Sequence, residues 1–174
     1  MKLWHQDTME LFRLEKQDLC EYLPAEGIDL VPIAKEDLCK MEVFGKQKMR
    51  ETKSRFRRGD TGLCAMAGSE IVGYGWIKHR GSFDHFYRIG KNVAYLSSFF
   101  VREDYRGKGI YPALITHLIQ NADNCDVFFI SAYTRNKSSL RGLRKVGFQQ
   151  IRTFRFWRAF KMTLNKRTIT NEMR

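Results

Sequence analysis

The chain has 174 residues, 43% hydrophobic and 13% aromatic, with a formal net charge of +12 and a pI near 9.7. That length and apolar content suit one domain with a buried core, and no low-complexity run or internal repeat argues for disorder or a repeat array. No apolar stretch reaches the roughly 20 residues that cross a bilayer, and the start Met1-Lys2-Leu3-Trp4-His5-Gln6-Asp7 lacks a signal peptide's apolar middle, so a soluble, cytoplasmic protein without a membrane partner is expected.

Residues 1–27 carry the apolar group Leu11, Phe12 and Leu14 and then break at Pro24 and Gly27, and they read as an N-terminal extension. The domain is expected to span 28–164. Within it, 28–33 reads as a strand and 35–44 as a helix with Leu38, Met41, Val43 and Phe44 on its apolar side. A basic helix follows, and its cations Lys48, Arg50, Lys53, Arg55, Arg57 and Arg58 read as a solvated face. Segments 62–67 and 70–79 form a hairpin around Gly68-Ser69, with Val72, Tyr74 and Trp76 expected on one face. The apolar run 93–101 is a strand covered on both sides, near the sheet centre. Segment 109–122 is a helix whose Thr116, Gln120 and Asp123 point away from the core; 127–130 is a strand; 137–146 is a helix stopped by Gly147. Terminal strand material runs through Phe154, Phe156, Phe160, Met162 and Leu164, and 165–174 is a polar tail that frays. A meander followed by strand-helix-strand-helix-strand predicts an α/β domain: a mixed, mostly antiparallel central sheet flanked by helices.

The four cysteines, Cys20, Cys39, Cys64 and Cys125, form no close pairs, which argues against a zinc site or a disulfide scaffold and for small buried apolar residues. No metal is expected. The positive charge attracts nucleic acid, anionic lipid or phosphorylated small molecules, and by itself does not choose among them.

The informative stretch is Phe99-Phe100-Val101-Arg102-Glu103-Asp104-Tyr105-Arg106-Gly107-Lys108-Gly109-Ile110-Tyr111-Pro112, a buried strand that turns through glycines directly into a helix. A helix start leaves backbone N–H groups unpartnered and carries partial positive charge, and glycines let a pyrophosphate come close to the backbone. Pro112 is tolerated in the first turn. A Walker loop would need Lys-Ser or Lys-Thr after its last glycine, where Ile110 stands, and a dinucleotide fingerprint needs a third glycine where Pro112 stands. In isolation the motif is also compatible with a plain turn between strand and helix.

Val101-x-x-x-Tyr105-Arg106-Gly107-Lys108-Gly109-Ile110 resembles the signature Arg/Gln-x-x-Gly-x-Gly/Ala of the GCN5-related N-acetyltransferase (GNAT) superfamily. Downstream, Asn136-x-x-Ser139-x-x-x-Leu143-x-Lys145-Val146-Gly147-Phe148 is similar to the superfamily's Asn-x-x-Ala/Ser-x-x-x-Tyr-x-Lys-x-Gly-Phe. The close resemblance covers 93–148. It implies an acyl-CoA-dependent N-acyltransferase with acetyl-CoA as co-substrate. By the same resemblance the backbone of Phe99, Phe100 and Val101 pairs with the pantetheine arm where neighbouring strands splay. The amides of Arg106, Gly107, Lys108, Gly109, Ile110 and Tyr111 receive the pyrophosphate, and Asn136 hydrogen-bonds the pantetheine while also capping its helix. Two positions depart from the pattern: Tyr111 replaces Gly or Ala, so its ring turns away from the phosphates or partly fills the groove, and Leu143 replaces the tyrosine expected to protonate the leaving thiolate.

For the chemistry, the backbone N–H near Phe99 is the candidate to polarise the thioester carbonyl, and Tyr133, just past the strand, is the candidate acid, with closure of the core edge as its alternative role. Tyr95, Ser97 and Ser98 offer no base unaided, and His79, His85 and His117 are read as bystanders or undecided. Direct attack by a primary amine is expected. The loops at 45–60 and 80–91 line the acceptor side, and their cations predict a small acceptor bearing phosphate or carboxylate. A homodimer is left open. Two rival readings remain: a non-catalytic acyl-CoA sensor, which would account for Leu143, and a basic nucleic-acid-binding protein, for which no recognition motif is present.

Overall fold

The computed structural model describes the backbone of residues 4–79, 82–83, 87–88, 91–159 and 162–169, and the side chains of 6–36, 41–79 and 91–155. In chain order, β1 (Trp4–Glu15) and β2 (Asp29–Pro32) are followed by the 3-10 helix Lys35–Phe44 and α1 (Lys46–Arg58). The hairpin β3 (Thr61–Ala67) and β4 (Glu70–Lys78) leads through the short pair β5 (Ser82–Phe83) and β6 (Tyr87–Arg88) to β7 (Asn92–Val101). Then come α2 (Ile110–Gln120), β8 (Cys125–Tyr133), α3 (Lys137–Val146), β9 (Gln149–Ala159) and β10 (Met162–Ile169).

Eight strands make one sheet in the order β10-β9-β1-β8-β7-β4-β3-β2. Among the described residues, only β7 and β8 pair in parallel. Parallel neighbours need a crossover, and α2 supplies it, so the sheet geometry dictates that a helix begins where β7 ends. This is the mixed, mostly antiparallel α/β architecture the sequence predicts.

Helices cover both faces. On one, α2 and α3 bury Ile110, Leu114, Leu118, Leu140, Leu143 and Val146 against Phe12, Val72, Leu96 and Phe128. On the other, Ile33, Met41, Cys64, Ile71, Tyr74 and Trp76 form a second core closed by Phe44 and Phe56. No helix among the described residues is long and apolar enough to cross a membrane.

Several expectations are corrected. Trp4–Glu15 is no extension: it is an interior strand hydrogen-bonded to β8 on one side and β9 on the other, with Leu11 and Phe12 fully buried. At the other end β10 continues to Ile169, through residues expected to fray, because β9 offers it a long antiparallel partner. Val72 does not share a face with Tyr74 and Trp76, since a bulge between Ile71 and Gly73 reverses its direction toward α2. Thr116 is buried, its helix being enclosed between the sheet and α3. Cys64 and Cys125 are buried as expected, whereas Cys20 is exposed, on a loop whose Cys20 N–H donates to Val146 O at the end of α3. His85 and Phe160 lie outside the described residues.

Candidate active site: a groove between two parting strands

The site begins with a defect in β7. Tyr74 of β4 is in register with Phe100, and Trp76 with Ser97, so the single residue Gly75 faces both Ser98 and Phe99. The extra residue is a bulge, and Ser98 takes the left-handed φ of +55° that residues with a Cβ rarely adopt. Gly75 is required opposite it: a Cβ there would stand 2.2 Å from Cε1 of Phe99.

On its other side β7 leaves β8. Parallel register runs from Asn92 to Leu96 and stops, while β8 continues to Tyr133 against β1. Ser98 and Phe99 therefore have a ladder partner in neither β4 nor β8. A gap opens between the strand ends.

Beyond β7 the chain makes a short 3-10 turn at Glu103–Tyr105 and enters α2 through Gly107 and Gly109, whose φ values of +83° and +73° suit glycine. Among the described residues, the backbone N–H groups of Gly107, Lys108, Gly109, Ile110 and Tyr111 donate to no protein acceptor; the first one taken in the helix is that of Ala113, by Gly109 O. The Arg106 amide departs from expectation, for it already donates to Glu103 O at 3.1 Å. From the facing helix, the Asn136 Oδ1 caps α3 by accepting from Ser139 N at 3.2 Å and from Ser138 Oγ at 3.0 Å. That leaves the Asn136 amide N–H groups available.

These parts line one groove of about 600 Å³. Phe99, Phe100, Val101, Arg106, Gly107, Gly109, Ile110, Tyr111 and Asn136 all border it, so the structure brings together most residues singled out from the sequence. Lys108 does not, because its ammonium turns back over the Tyr105 ring at 4.4 Å. Tyr133 does not either: its ring lies beneath Arg135, 4.8 Å from the guanidinium carbon, and its role as proton donor gains no support from this placement. No histidine or carboxylate is among the described residues lining the groove.

Among the described residues, Tyr111 is one of three tyrosines lining the groove, with Tyr22 and Tyr105. Its ring stands edge-on to Phe99, with centroids 5.3 Å apart, and lies so close to α3 that a Cβ on Gly142 would be 2.7 Å from it. The ring thus partly fills the groove, and Gly142 makes room for it. Burial pushes the Tyr111 phenol above its ordinary range, against a smaller downward effect of a hydrogen bond with Ser139, so it holds its proton further into alkaline pH than a free phenol.

Sequence reasoning passed over three contributors. Arg141 and Lys145 add cations to the groove lining beside Arg106, and the spacing of four residues that puts them on one face of α3 was the available signal. Tyr22 belongs to a loop pinned over the glycine turn by the bond from Ala25 N to Lys108 O, a contact that no local pattern encodes.

The family model for the GNAT family of acetyltransferases matches residues 29–148. No curated protein matches the sequence. Among solved structures, a GNAT-family acetyltransferase from Colwellia psychrerythraea is 15% identical, with TM-score 0.66 over 84% of this chain and 53% of its own. A GCN5-related N-acetyltransferase from Kribbella flavida is 12% identical, with TM-score 0.61 over 84% of this chain and 56% of its own. AAC(6')-Iy, in complex with the bisubstrate analogue CoA-S-monomethyl-acetylneamine, is 16% identical, with TM-score 0.57 over 70% of this chain and 90% of its own. The chain thus spans little more than half the length of the first two, and likeness at these identities concerns the fold. The family match runs from β2 through the bulged strand, the glycine turn and the Asn136 cap to Phe148. By that match, over well more than half its length, the chain belongs to the GNAT family of acetyltransferases.

Proposed function

We propose that the chain is an acyl-CoA-dependent N-acyltransferase that moves an acetyl or other short acyl group onto the primary amine of a small anionic acceptor. The observation that carries this reading is the run of unpartnered N–H groups from Gly107 to Tyr111, bordering a groove that leads to the gap between β7 and β8. Amides at a helix start suit a diphosphate, and Arg106, Arg141 and Lys145 add positive charge to the same lining. The unpaired edge at residues 99–101 suits an extended pantetheine arm, which the free amide of Asn136 meets from the opposite wall. The family match and the coenzyme A analogue bound to AAC(6')-Iy support the same assignment.

Bound acetyl-CoA supplies the acyl group as a thioester. The main chain at Phe99 is placed to donate to the carbonyl oxygen as negative charge develops there, a role that needs no side chain. Among the described residues the lining holds no histidine or carboxylate, and water is the carrier we propose for the attacking amine's proton. Leu143 is fully buried and has no proton to give, and the Tyr111 hydroxyl, protonated at neutral pH like any phenol, is our candidate donor to the leaving thiolate.

The acceptor class rests on α1. Arg58 is engaged with Asp60 at 3.0 Å, but Lys53 and Arg57 join Lys35 and Phe56 around a cavity of about 520 Å³. An amine bearing phosphate or carboxylate suits that lining.

Release of free coenzyme A thiol across a panel of amines tests the reading. Turnover with phosphorylated or carboxylated amines, weakened by Arg57→Ala, is the expected result. Binding of acetyl-CoA with no thiol release from any amine would instead make the chain a sensor.

A further inference from the structure

The bulge in β7 has a prop from outside its sheet. Arg55, in the last turn of α1, keeps only 14% of its side chain exposed. Its Nη1 donates to Ser97 Oγ at 3.2 Å and its Nη2 donates to Ser98 Oγ, so one guanidinium grips both hydroxyls of the dipeptide that opens the bulge. The guanidinium is itself fixed, by Asp60 Oδ2 at 3.5 Å and by stacking over Trp76 with its central carbon 5.4 Å from the ring. Asp60 is almost wholly buried.

Such a prop has work to do. Ser98 holds a left-handed backbone that costs energy for any residue with a Cβ, and no strand on either side is in register with Ser98 or Phe99. Ladder hydrogen bonds do not fix this stretch, and the side-chain grip of Arg55 does. Arg55 does not line the groove, so it acts through the backbone it holds. An anchor for an acceptor's anion would keep both terminal nitrogens free, whereas Nη1 and Nη2 of Arg55 are engaged by Ser97, Ser98 and Asp60.

We propose that Arg55 is a positioning residue for acyl transfer: by gripping Ser97 and Ser98 it holds the β7 bulge that sets the Phe99 main chain at the gap between β7 and β8. This rests on the transferase reading above. A planar fork contacts two hydroxyls at once, and lysine would reach one of them, so the role is specific to arginine.

The test compares wild type, Arg55→Met and the double variant Arg55→Met/Ser98→Gly in acetyl-CoA titration and steady-state kinetics. Arg55→Met should bind acetyl-CoA with nearly unchanged affinity and lose about 100-fold in kcat, the scale of a small misplacement of a reacting group. Glycine adopts φ of +55° without strain, so Ser98→Gly in the same background should recover about tenfold of that loss. Should Arg55→Met fail to fold because it leaves the buried Asp60 to Arg58 alone, Ser97→Ala/Ser98→Ala keeps the Arg55–Asp60 pair and should show the same drop in kcat. Unchanged kcat, a loss confined to KM for the amine, or no rescue by glycine would overturn the inference while leaving the transferase reading intact. A wild type that binds no acetyl-CoA would bring down the transferase reading, and this inference with it.

Discussion

Gly75 and Tyr111 show how single side chains shape the groove from opposite walls. A methyl group at position 75 would collide with Phe99, whose ring is already hemmed in by Tyr111. Gly75→Ala should therefore destabilise the fold by about 1–3 kcal/mol and weaken acetyl-CoA binding, as Phe99 is forced into the groove. A thermal melt and a titration check both effects. At Tyr111 the consequence lies in pH. Its raised pKa means that the folded protein keeps the phenolic proton longer than the unfolded chain, so stability is undiminished below the ordinary value of about 10 and is lost as pH rises from there toward the folded value. Tyr111→Phe removes this linkage. The difference in Tm between variant and wild type should be constant up to about pH 9 and move in favour of phenylalanine above about pH 10; a constant difference throughout would contradict the burial of the hydroxyl.

At the scale of elements, two helix starts and one strand end make the site, and they differ in how they are written in the chain. Asn136 serves both its helix and the groove, and two substitutions separate the roles. Asn136→Ala should cost about 1 kcal/mol of stability by removing the cap, and should also weaken acetyl-CoA binding. Asn136→Asp keeps the capping oxygen but loses the amide donors, so it should weaken binding with little change in Tm. Both helix starts were legible in the sequence, because the glycines before α2 and the cap before α3 act through neighbours within a few residues. The bulges were not. They depend on register, on which residue of β3 faces which residue of β4 for Val72, which points toward α2, and on which residue of β4 faces which residue of β7 for Phe99, which meets Gly75. Arg55 is hidden in the same way: inside a run of cations it reads as one more solvated charge, and only the packing of α1 against β7 turns it inward.

For the whole molecule, the strand furthest from the signature motifs has the largest structural consequence. The family match starts at Asp29, yet β1 lies between β8 and β9 and stays paired with β8 through Tyr133, past the point where β7 leaves it at Leu96. Periodicity placed an apolar group at Leu11, Phe12 and Leu14 but could not say that its partners lie more than a hundred residues downstream. Removal of residues 1–15 should abolish cooperative unfolding followed by circular dichroism; an unchanged melt would show that the sheet closes without this strand. The net charge of +12 acts at the same scale, since a positive field draws a polyphosphate toward a groove whose lining includes Arg106, Arg141 and Lys145. Calorimetric titration of the intact protein with acetyl-CoA tests the account most directly. It predicts saturable binding of one equivalent that weakens as salt is raised, whereas a folded protein giving no heat at low salt would contradict it.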